Sequence, residues 1–263
     1  MTLKGVTLIE LLVVIAIIAM LIMILMPVLY SSRNNAKVLI CQSNIRQICF
    51  SMLVYEQNNH IFPFGFSDAI PVSSSFPGSA SRDLKGIWWF NLLMSGSQGS
   101  IEQAPVLWCP VRNVSEPFVL CGNYGVNRSI CLDQPNPITG KIKDEFVGNP
   151  LTSSQIHQPA QTLLLIDSGY SLISWRGAIN VNNGPRFENP KREPAFYIPG
   201  LEINEQRKIA FGFEKDALNG RHPNKKINIG FADGHISHNK AKKLLIEKTA
   251  TSYTNLSPLW LAK

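Results

Sequence analysis

From Leu11 to Leu29 the chain carries no charged side chain, and only Pro27 interrupts a run of Leu, Ile, Val, Met and Ala. About 20 apolar residues in helical form cover the roughly 30 Å hydrocarbon core of a bilayer, so this run is expected to span one. At its N-terminal edge stands a lone carboxylate, Glu10, with only Lys4 and the chain amine before it as charges. A carboxylate in lipid is costly and is usually kept for function, with a partner that can be named. No Lys, Arg or His falls between Val6 and Arg33, so the segment itself supplies none. Cleavage after Gly5 would supply one, by exposing a new amine at Val6, four residues from Glu10. That amine could face the carboxylate within one helix or neutralise that of a staggered neighbour.

Gly5 followed by Val6-Thr7-Leu8-Ile9-Glu10 and a charge-free span resembles the processing site of bacterial prepilins, the precursors of type IV pilins and type II secretion pseudopilins. The resemblance implies that residues 1–5 are a leader cut after Gly5 by a prepilin peptidase that also methylates the new N-terminus, Val6. It implies that Glu10 serves assembly with other pilin-like subunits, and that Pro27 kinks or locally melts the helix. Val6 departs from the Phe most members carry there. A secretory signal peptide fits less well, because its apolar region is shorter and ends in a small-residue cleavage site. Tyr30-Ser31-Ser32-Arg33 offers no such site. A plain anchor explains the length but not Glu10. Charge counting would invert the topology, since Arg33, Lys37 and Arg46 follow the span and only Lys4 and the amine precede it. The leader resemblance instead implies an inner-membrane protein with its N-terminus in the cytoplasm and its head periplasmic, or extracellular after assembly.

Beyond the span, Val38, Cys41, Ile45, Ile48, Met52 and Tyr55 recur at three- and four-residue steps, with Lys37, Gln42, Ser43, Arg46 and Gln47 between them. This spacing predicts one helix over 6–57, membrane-spanning over 6–29 and amphipathic over 30–57, whose apolar stripe packs on a head. The remaining residues, 58–263, suffice for one globular head. Pro, Gly and Ser in 63–83 predict a loop, and 180–205 reads as long surface loops. Trp88-Trp89-Phe90 reads as buried core. Thr162 to Ile166 predicts a buried strand with Asp167 at its tip. The sequence around Asp233-Gly234 predicts a hairpin with both turn residues at positive φ. The fold class expected is α+β, a long N-terminal helix packed on an antiparallel sheet, as in pilins.

The chain is basic, with net charge +7 and pI 9.2, which favours acidic surfaces such as lipid headgroups or anionic polysaccharide. Lys225-Lys226 with Lys240, Lys242 and Lys243 reads as a solvated face rather than a nucleic-acid site. Nucleophile-elbow, phosphate-loop and His-Glu-x-x-His motifs are absent, so no enzyme is expected. There are five cysteines. In an oxidising envelope some should pair, the candidates being Cys41, Cys109, Cys121 and Cys131, and the odd count leaves at least one over. Cys41 and Cys49 cannot pair within one helix, where eight residues separate them by about 12 Å.

Cys41 to Asn44 (Cys-x-x-Asn), Cys109-Pro110, Tyr124 to Asn127 (Tyr-Gly-x-Asn), Asp167, and a late His-spacer-Asp-Gly together resemble one branch of prepilin-like proteins. Its usual spacer is nine residues, whereas His222 and Asp233 enclose ten. No cofactor is expected on the simplest reading, in which Asp233-Gly234 is a turn without chemistry. The alternative is a divalent cation such as calcium, held by His222, Asp233 and Asp167. The function expected is a filament or pseudopilus subunit. The alternative is a membrane-tethered head that binds polysaccharide or another anionic ligand.

Overall fold

The computed structural model describes residues 7–67, 87–94, 104–111, 123–134, 146–168, 171–174, 220–244 and Trp260. Gly5, Val6, Cys121, most of the 63–83 segment and the 180–205 loops lie outside the described residues.

Helix α1 runs unbroken from Leu8 to Asn59, 52 residues or about 78 Å. Its start is set by Thr7, whose hydroxyl accepts from the Glu10 amide at 3.3 Å while the Thr7 amide donates to Glu10 Oε2 at 2.8 Å. This reciprocal pair is a capping box, and it satisfies donors that a helix start leaves without partners. The helix stops at His60, which adopts a left-handed conformation (φ 61°) and donates its amide to the Glu56 carbonyl at 2.7 Å. Pro27 lies inside the helix without ending it and forfeits one helical hydrogen bond, so local melting is not what the structure displays. The apolar half of α1 has a stretch of mean hydropathy 3.2, none of it buried in the protein.

The second half of α1 forms one wall of the head. Val38, Cys41, Ile45, Ile48 and Met52 are buried as the stripe predicted, together with Asn44 and Cys49. Opposite them lies a five-stranded sheet built from β3 (Tyr124–Asn127), β4 (Leu163–Asp167), β5 (Leu172–Ile173), β6 (Lys226–Phe231) and β7 (Ile236–Lys240). Its order is β5-β3-β4-β6-β7. A two-stranded ribbon, β1 (Phe66–Ser67) with β2 (Ile87–Trp88), leads into the short helix α2 (Trp89–Met94). Trp88, Trp89 and Phe90 are core residues, and the Trp89 indole donates to the Ser171 carbonyl at 3.0 Å.

Two expectations are corrected. The sheet is mixed rather than antiparallel, because β5 lies on the far side of β3 from β4 and runs parallel to β3, with Val126 opposite Leu172. The hairpin between β6 and β7 does not place both turn residues at positive φ. Only Gly234 does so, at 89°, and Asp233 does not. Phe231 and His235 close the loop (Phe231 N to His235 O 3.0 Å), leaving three residues between them. A three-residue loop of this kind needs one left-handed position, at its end, and glycine takes it.

One glycine sets how close the helix comes to the sheet. A Cβ on Gly230 would stand 2.4 Å from Cys49 Sγ and 2.9 Å from Ile45 Cγ2. Helix α1 therefore rests on the bare backbone of β6.

Candidate functional site

Five of the residues singled out along the chain, Cys41, Cys109, Tyr124, Asp167 and His222, converge with Asn44 on one buried cluster between α1 and the sheet. Cys41 and Asn44 lie three residues apart on α1, hence on the same face. Cys109 follows a single 3-10 turn, Pro105–Leu107, and its amide donates to Asn123 Oδ1 at 3.0 Å. Tyr124 opens β3 and Asp167 ends β4, and the two are direct partners in the sheet register. His222 precedes β6, and the bridge it makes with Lys226 brings it back against that strand. Asn224 and Lys225, both at positive φ, turn the chain between them.

Asp167 is the hub. Its Oδ1 accepts from the Cys41 thiol at 2.9 Å. Its Oδ2 accepts from the Asn228 amide at 2.6 Å and lies 2.8 Å from His222 Nε2. Cys41 Sγ also stands 3.4 Å from both Cys109 Sγ and the Tyr124 hydroxyl. Asn44 Nδ2 reaches that hydroxyl at 3.1 Å and the Trp108 carbonyl at 3.0 Å. Asn228 Nδ2 lies 2.8 Å from His222 Nε2 and Asn228 Oδ1 lies 2.8 Å from His238 Nδ1, so the side-chain amide bridges the two imidazoles.

The electrostatics follow from the geometry. Burial pushes the Asp167 carboxyl up, but the hydrogen bond and charge of His222, with Arg221 and Cys41, outweigh it and hold the group below the usual carboxylate range. Burial, the hydrogen bond with Cys109 and the Asp167 charge push the Cys41 thiol up. Cys109 goes the other way, chiefly through its hydrogen-bonded contact with Cys41, against its burial and with help from the Arg221 guanidinium. Burial and then the Asp233 charge push Cys49 up to about 12, which leaves an unreactive core thiol.

Asp233, by contrast, is not in the cluster. It sits at the exposed hairpin turn, paired with His235 (Nδ1 to Oδ1 2.6 Å). The reason is topological. His222 and Asp233 flank opposite ends of the six-residue strand β6, which extends about 20 Å. The set His222, Asp233 and Asp167 therefore does not form, although His222 and Asp167 do meet. Asn127 of the Tyr-Gly-x-Asn motif also has separate work. Its Nδ2 donates to the carbonyls of Leu163 at 2.8 Å and Trp260 at 2.9 Å, tying the C-terminal segment to the sheet.

Asn123, Arg221, Asn228 and His238 were not foreseen in this cluster. Asn228 had a signal, since an Asn between Ile227 and Ile229 in a buried strand must find partners. Cys41, Cys109 and Asp167 bring one ligand atom each within 4.8 Å of one another. Two thiolates and a carboxylate suit a soft or borderline ion such as zinc, and not calcium, which takes six to eight oxygens. The contacts are too tight for zinc as they stand. Thiolates about 2.3 Å from a tetrahedral zinc would sit roughly 3.8 Å apart, against 3.4 Å here.

At the other end of the molecule Glu10 is exposed, and its carboxylate accepts from the Thr7 amide and hydroxyl at 2.8 and 3.0 Å. Comparison with models of known families, with curated proteins and with solved structures found no match to this chain.

Proposed function

We propose that the chain is a pilin-like structural subunit, made as a membrane precursor, cut between Gly5 and Val6, and assembled with other such subunits into a filament or pseudopilus. The observation that carries this reading is a single helix with two different environments. Its first half exposes every apolar side chain from Leu8 to Leu29, while its second half is an integral wall of the head. A signal peptide is removed from the domain it exports, whereas this helix continues into the core without a break. A core helix would be covered, and the apolar half is not.

The outer face of the second half adds support. At about 100° per residue, Leu39, Ile40, Phe50 and Val54 fall within an arc of roughly 100°, opposite the buried stripe. All four are exposed, interleaved with Ser43 and Gln47. A tethered monomer has no use for apolar side chains there, whereas a helix in a bundle does.

A second reading, a tethered head with no filament role, gains one specific point. The capping box gives Glu10 a local task at the start of its own helix, without any partner chain. The two readings part at Glu10→Gln. Glutamine serves a capping box as glutamate does, yet carries no charge to meet a neighbouring amine. In cells expressing tagged subunits beside wild type, Glu10→Gln and Glu10→Ala should both insert in the membrane. Both should fall at least tenfold in sheared filaments. Entry of the Gln variant at wild-type levels would reduce Glu10 to a cap and leave the tethered reading standing.

A further inference from the structure

We infer that Cys41 and Cys109 are joined by a disulfide in the mature protein, and that this bond fastens helix α1 to the head. Their sulfurs are 3.4 Å apart, in van der Waals contact, and both side chains are buried. A disulfide requires that gap to close to about 2.05 Å. The two residues are 68 positions apart in sequence, one on α1 and the other beyond the 3-10 turn at Pro105–Leu107.

The bond forms while the head is still open during folding and both thiols meet water. One thiol of the pair, as its thiolate with the proton lost to solvent, attacks one sulfur of a disulfide oxidant, protein or small molecule, and expels the other as thiolate. The second cysteine, likewise deprotonated by solvent, then attacks the first cysteine's sulfur in the mixed disulfide and releases the second oxidant thiolate. The cysteines lose two electrons, the oxidant gains them, and the two protons given to solvent are balanced by those the released thiolates take up. Closure of the head then buries the bond between α1 and the sheet.

The inference rests on the proposed function in one respect, that the head folds on the oxidising side of the membrane. Trypsin separates the five cysteines, with Cys41 in 38–46, Cys49 in 47–82, Cys109 in 86–112, Cys121 in 113–128 and Cys131 in 129–141. The full chain is purified in detergent from a bacterial envelope, alkylated while denatured without reductant, digested and weighed. Peptides 38–46 and 86–112 should appear joined, lighter than their sum by two hydrogens, and should separate on adding reductant. A second sample, fully reduced and refolded with oxidised glutathione, should form the same link. If only the refolded sample does so, the pairing stands and the location of the head is what fails. Both thiols alkylated in both samples would overturn the inference. So would Cys41 joined to another cysteine, or one zinc per chain with both thiols free.

Discussion

At the scale of single residues, the Asp167–His222 pair lies fully buried at the centre of the polar cluster. Both side chains are fully covered, and a buried pair that loses one member leaves the other uncompensated, at a cost of about 3–5 kcal/mol. Asp167→Asn should therefore destabilise the head by an amount in that range, measured by urea unfolding of the detergent-solubilised chain. The pH dependence follows from the depressed Asp167 carboxyl. A group that ionises more readily folded than unfolded adds stability that is fully present above its unfolded value, about 3.9. That stability is lost as pH falls through the lower, folded value. The wild type should thus lose stability on acidification below that point, and Asp167→Asn should have a flatter acid limb. The sequence made Cys41, Cys109, Asp167 and His222 visible one at a time, as residues in short motifs. Their meeting was not legible, because it depends on strand register: Tyr124 faces Asp167 only through the pairing of β3 with β4. Asp233 was misassigned for the same reason, since its place in a motif with His222 says nothing of the strand between them.

Among the elements, α1 was the most legible. The apolar run and the stripe after it state its extent to within a few residues, and the turn residues state its end. The strand ending at Asp167 and the β6–β7 hairpin were legible as well, from short apolar runs bounded by turn chemistry. Less visible were β5, two residues long and placed by long-range pairing, and the seat of α1 on β6. That seat depends on an absent side chain, which no hydrophobic pattern marks. Gly230→Ala puts a methyl against Cys49 Sγ and Ile45 Cγ2, at distances that real contacts do not reach. The helix must lift or the strand must sink, and overpacking of this kind costs about 1–3 kcal/mol. The unfolding midpoint of Gly230→Ala should fall accordingly, and Cys49→Ala in the same chain should restore part of the loss.

For the whole molecule the question is what covers the apolar surface that the chain leaves bare. On the proposed function, lipid covers the first half of α1 before assembly. The outer face of the second half, which carries Phe50, points away from the buried stripe and is exposed. Phe50→Lys should leave the unfolding midpoint within about 0.5 kcal/mol of wild type, as exposed substitutions do. In sheared filaments, however, the tagged variant should be depleted several-fold. Equal incorporation would argue that this face meets no neighbour.

Helix α1 and the strand it rests on, β6, stand far apart in sequence, at Leu8–Asn59 and Lys226–Phe231. Contacts so distant in sequence form late, because the intervening chain must first be closed into a loop. Until β6 has been made, the inner face of the helix can meet Cys109, Tyr124 and Asp167 but lacks the strand that seats Ile45 and Cys49. Such exposed apolar surface invites aggregation. Truncation before β6 should therefore leave the helix with part of its seat missing, and the apolar surface so exposed is a ready substrate for chaperones and proteases.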